Sequence, residues 1–194
     1  MNYLLYFSVI GVVITSLALL LLDNFRYSIG ALVLQYLFIF FLVSSVWPIG
    51  LAIIKLIVGW IVCSLIGSAY FHHLQLQKEV MSNAKTIFTA LSSAVIWLLI
   101  FTLSSSFSDL LPVSRPVLIA SGVLMGMGLL QLGSTTNLLR ILFGLLTVTG
   151  GFEVLYAGLE QSVLVAGLLA VINILFGFMG WYMVNHNTRL EEEA

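Results

Sequence analysis

Two ionisable residues stand inside long apolar runs, Lys55 in Ile49–Phe71 and Glu153 in Leu138–Gly158. A charge at the centre of a membrane helix costs roughly 2.5–3.5 kcal/mol on insertion scales, so each is a functional candidate by default. Lys55 lies six residues into its run and Glu153 five residues from the end of its own. At 1.5 Å per residue these depths are about 9 Å and about 8 Å. Opposite charges at matched depth can form an ion pair between the two halves of the chain, or one step of a proton relay. The default for side chains this close to an interface is separate snorkelling to the headgroup region. Asn173, near the middle of the seventh run, can hydrogen-bond across to another helix, and Gln35 in the second run has the same status. Glu160 at the mouth of the last hairpin is expected to be solvated, and Arg140 at the inner end of the sixth run to act as a topogenic anchor.

Other chemistry is poorly supplied. His72-His73 are neighbours on a helix and point to different sides, and no carboxylate or third histidine stands at ligand spacing, so no metal site is expected. One cysteine, Cys63, rules out an internal disulfide framework and a cysteine-based zinc or iron–sulfur site. No serine sits in a Gly-x-Ser-x-Gly elbow, and neither a phosphate-binding loop nor a dinucleotide fingerprint occurs, so no catalytic residue and no cofactor is expected. A formal charge of −1 supplies no basic footprint for nucleic acid.

The elements that must position these residues are membrane helices. Of 194 residues 61% are hydrophobic and 8% charged, against about 25% charged in soluble domains. Seven runs approach the length of about 20 residues that crosses the hydrocarbon layer: Tyr3–Leu22, Ser28–Trp47, Ile49–Phe71, Ile87–Ser106, Pro116–Leu132, Leu138–Gly158 and Ser162–Met183. They are continuous rather than alternating, which excludes a membrane β-barrel. The first lacks a basic flank and a cleavage site and is read as a span, not a signal peptide. With seven spans, Arg26, Lys78, Lys85, Arg140 and Arg189 share one face and only Arg115 the other. The positive-inside rule then puts the N-terminus out and the C-terminus in. The expectation is an all-α polytopic transmembrane bundle with a three-span half (1–71), a cytoplasmic connector (72–86), a four-span half (87–183) and an acidic tail (184–194). Gly122, Gly126 and Gly128 in the fifth span, and Gly144, Gly150 and Gly151 in the sixth, are expected to serve helix packing. The absence of a clean internal repeat counts against a transporter built from inverted repeats.

The segment Asn137-Leu138-Leu139-Arg140-Ile141-Leu142-Phe143-Gly144-Leu145-Leu146 resembles the inner loop and second helix of the small three-span subunit (chain 4L) shared by respiratory complex I, membrane-bound hydrogenases and multisubunit cation/proton antiporters. The resemblance spans residues 116–183, with Pro116–Leu132 and Ser162–Met183 as the flanking helices. The proton-carrying subunits have an acid directly after Gly-Leu, where this chain has Leu146, so the chain looks more like the antiporter branch. Residues 24–66, with Ala52-Ile53-Ile54-Lys55-Leu56-Ile57-Val58-Gly59, more faintly resemble the neighbouring chain 6 of the same complexes. The resemblance implies a non-catalytic membrane subunit of an ion-translocating or electron-transfer complex in a bacterial cytoplasmic membrane. Its partners would be lipid and other membrane subunits, with Lys55, Glu153 and Asn173 as proton-path candidates and Gln35, Glu160 and Arg140 as weaker ones. The alternatives are an independent transporter or channel, and a membrane-complex assembly factor.

Overall fold

The structure, a computed structural model, describes residues 2–22, 24–72, 83–108, 110–160 and 162–192. They form seven helices: α1 (Asn2–Leu21), α2 (Phe25–Ser44), α3 (Ile49–His72), α4 (Asn83–Ser108), α5 (Arg115–Ser134), α6 (Leu138–Leu159) and α7 (Val163–Glu192). Each contains a stretch long and apolar enough to cross a membrane, and no strand occurs among the described residues. The protein is therefore an all-helical, integral membrane protein in contact with lipid.

Local chemistry starts and stops these helices. Asn24 and Asn137 each occupy an N-cap, where their side-chain oxygens accept backbone N–H groups that a helix start leaves without a partner. Pro116 sits in the first turn of α5, where its missing N–H costs nothing. The turn Ser45–Trp47 folds back on α2 through Trp47 N–H to the Val43 carbonyl, and Pro48 then opens α3. The expected second span is thus shifted: Trp47 belongs to the turn and is buried. Two further boundaries differ from expectation. α4 begins at Asn83, inside the expected connector, and α7 runs on to Glu192, through most of the expected tail.

Helix neighbours define two four-helix rings with a shared wall. α2, α3, α7 and α6 pack in a closed circuit, and so do α1, α2, α6 and α5; the α2–α6 contact belongs to both. α4 lies outside both rings, against α5 and α1, with only 11% of its span buried. The order α1, α2, α3 is matched by α5, α6, α7 across the bundle, so helices of the two sequence halves face each other across one core.

Glycines set the closest approaches. A Cβ at Gly128 would come within 2.8 Å of the Gly144 carbonyl and the Val148 backbone N–H, and one at Gly151 within 2.9 Å of the Met125 backbone, so α5 and α6 meet backbone to backbone. The fifth-span glycines do not share one face: Gly122 and Gly126 receive Ile100 and Ile96 of α4, while Gly128 receives α6. Gly122 and Gly126 are four residues apart and lie one above the other; Gly128, two further on, turns to the other side.

Candidate functional site

The ring of α2, α3, α6 and α7 holds the buried charges. Lys55 and Glu153 each stand six residues from the nearer end of their helix, about 9 Å along the axis. α3 and α6 barely approach at the backbone, because α2 and α7 stand between them. The two side chains bridge the gap. Lys55 Nζ lies 2.7 Å from Glu153 Oε1, with side chains only 6% and 1% exposed. Snorkelling, the default expectation for each, is not what the chain adopts. A water-poor interior leaves either charge uncompensated if it points away, and matched depth makes pairing geometrically available.

Two more residues extend the pair. Asn173 Nδ2 donates to Glu153 Oε1 at 3.0 Å, and the Thr149 hydroxyl stands 3.1 Å from Asn173 Oδ1. That hydroxyl is also 3.0 Å from the Leu145 carbonyl and 3.1 Å from the Leu146 carbonyl, so its single proton chooses among three acceptors. Lys55, Glu153, Asn173 and Thr149 thus form a continuous polar chain from α3 through α6 to α7. Glu153 Oε1 receives both the ammonium and the amide. The ammonium has three N–H donors, and this contact engages one at most.

Below the chain the ring closes on apolar side chains. A Cβ at Gly180 would overlap Leu142 of α6 and come within 3.1 Å of Ile66 of α3. Leu142 and Ile66 are 2% and 0% exposed. Gly180 follows Asn173 by seven residues, about 10 Å along α7. The polar chain therefore occupies one end of the ring, and packed hydrocarbon occupies the other.

The remaining candidates lie elsewhere. Gln35 is 1% exposed, and its Oε1 has no hydrogen-bond partner. Arg140 is half-buried near the start of α6, where Nη2 donates to the Leu22 carbonyl at 2.9 Å. Gln131 Nε2 donates in turn to the Arg140 carbonyl at 3.1 Å. Arg140 so ties the start of α6 to the end of α1, a structural clasp. Glu160 is exposed just past the end of α6. The His72 side chain and His73 lie outside the described residues, as do Lys78 and most of the connector. Among the described residues no group of three metal-ligating side chains gathers. Thr149 was not anticipated from the sequence; it precedes Glu153 by one helical turn, so the i, i+4 relation on α6 was the available signal. No protein family, characterised protein or solved structure matches this chain.

Proposed function

We propose that this chain is a non-catalytic membrane subunit of a multisubunit ion-translocating or electron-transfer complex, and that Lys55, Glu153 and Asn173 form one polar step of a proton or cation path. The observation that carries the reading is a buried ion pair, extended by two hydrogen-bonding side chains, inside a ring packed shut at its other end. Ionisable groups this far from water are retained where a charge has work to do. The apolar closure at Gly180 favours a subunit over a self-contained channel, since a path that reaches Asn173 must continue through another chain. The resemblance of residues 116–183 to the small subunits of complex I and the cation/proton antiporters supports the same class.

Orientation follows from the basic residues. We place the Asn24 and Asn137 end of the bundle in the cytoplasm of a bacterial cell, with the N-terminus outside. Reporter fusions after Arg26 and after Lys78 give cytoplasmic signals on this reading, and a fusion after Asp109 gives an external one. The functional test is isolation of the tagged chain from its native membrane in mild detergent. It is expected to carry other membrane subunits in fixed ratio; a chain that runs alone overturns the reading.

A further inference from the structure

Tyr36 of α2 lies with its ring laid over Gly59 of α3, where any Cβ would overlap it. Gly59 follows Lys55 by one helical turn and Cys63 follows Gly59 by another, so the three share a face of α3. Tyr36 is 3% exposed, and its hydroxyl has no hydrogen-bond partner. One helical turn before Gly59, the Lys55 ammonium holds donors that Glu153 does not engage. Two buried polar groups with unused hydrogen-bonding capacity therefore stand on neighbouring turns of the α2–α3 seam, one of them paired with the Glu153 carboxylate. Buried tyrosine hydroxyls ordinarily find a partner, because an unmet one loses its hydration without return.

We propose that Tyr36, Lys55 and Glu153 enclose a binding site for water, kept open by the missing side chain at Gly59, and that this water joins the Tyr36 hydroxyl to the polar chain as its next station. A water there accepts from the ammonium, donates to the carboxylate and exchanges a hydrogen bond with the hydroxyl, about three bonds, the usual complement of a buried water. The charge of the site selects the ligand. Lys55 already neutralises Glu153, so a metal cation would meet an ammonium and no uncompensated anion, whereas a neutral molecule that both donates and accepts meets neither obstacle. The inference deepens the proposed function and rests on it for the role of Tyr36 in transfer; the hydration itself stands on the geometry.

X-ray radiolytic hydroxyl labelling of the full chain in lipid nanodiscs, read by mass spectrometry, tests it, because radicals form from bound water inside a protein as well as outside. Tyr36 is expected to be oxidised despite its burial, while Met127, intrinsically more reactive and 1% exposed, stays unlabelled. An unlabelled Tyr36 overturns the proposal with no variant needed. Gly59→Ala, which pushes the ring into the site, is expected to abolish the label. Tyr36→Phe gives a second readout: loss of a hydroxyl engaged with water lowers the Tm by about 2–4 °C for a chain of this size. An unchanged or raised Tm marks a hydroxyl that bonded to nothing and overturns the site. A chain that purifies without partners would end the subunit reading and leave the labelling result standing; an unlabelled Tyr36 would do the reverse.

Discussion

The two four-helix rings share the α2–α6 wall and a common apolar surrounding, yet they handle buried polar groups in opposite ways. In the ring of α1, α2, α5 and α6, the polar side chains inside the spans turn back on their own helix, and the bonds from helix to helix, Gln131 to the Arg140 carbonyl and Arg140 to the Leu22 carbonyl, sit at the helix ends. Ser8 bonds to the Leu4 carbonyl, Thr15 to Gly11, Ser16 to Val13 and Ser121 to Leu118. Away from those ends the contact between these helices is hydrocarbon, supplied by residues such as Val12, Leu19, Leu32, Val123 and Leu124, each 1% exposed or less. In the ring of α2, α3, α6 and α7, polar side chains bond from helix to helix, Lys55 to Glu153 to Asn173 to Thr149. A hydroxyl satisfied within its own helix leaves the neighbours free to be chosen by shape. A buried charge does not have that option, so it fixes which helices meet and at what height. Within the spans, one ring is held by fit and the other by named partners.

The sharpest way to break this contrast is to remove one partner of the ion pair. Lys55→Met or Glu153→Gln alone leaves a charge, or the polar group that faced it, without compensation. Each is expected to destabilise the purified chain by up to about 3–5 kcal/mol, the range for breaking a buried pair. The double variant is expected to recover part of that loss in thermal unfolding; simple additivity would mean the two residues do not act as partners. A smaller effect is expected at Asn173→Leu, which removes one interhelical amide contact and so costs about 0.6–2 kcal/mol, read in the same assay. Loss of less than that would move Asn173 out of the group of residues that fix helix partners. The smallest effect is expected in the other ring. Thr15→Val keeps the shape of a side chain that bonds only to its own helix, and the stability change should stay within about 0.5 kcal/mol. A large loss at Thr15 would show that the apolar ring also depends on polar contacts, and the contrast would fail.

The sequence made the helices legible and left their neighbours hidden. Length and hydropathy located all seven spans, because crossing the bilayer needs about 20 apolar residues and nothing subtler. The caps at Asn24 and Asn137 were not anticipated, although each is a polar residue ahead of an apolar run, the signal a helix start leaves in a sequence. Lys55 and Glu153 stood out because charge is scarce, and their depths matched. Whether they meet depended on α2 and α7 holding α3 and α6 apart at side-chain reach, and periodicity along one helix carries no such information. Likewise Gly122, Gly126 and Gly128 read as one packing face until α4 and α6 were seen to take different sides of α5. Tyr36 gave no signal of its own: an aromatic residue in an apolar helix is ordinary, and only Gly59 opposite makes room for it.

Lys55 and Glu153 are separated by about 100 residues of chain, and synthesis at about 5–20 residues per second puts about 5–20 s between their appearances. For that interval α3 enters the membrane with a lysine whose acid has not yet been translated. A depth of about 9 Å is shallow enough for the ammonium to reach the headgroup layer while it waits. The snorkelled state that the folded protein does not adopt is then open to its nascent chain. Arrival of α6 draws the lysine inward and locks the first three helices to the last ones. An acid placed late in the chain therefore leaves the lysine of the N-terminal helices without its partner until Glu153 is inserted.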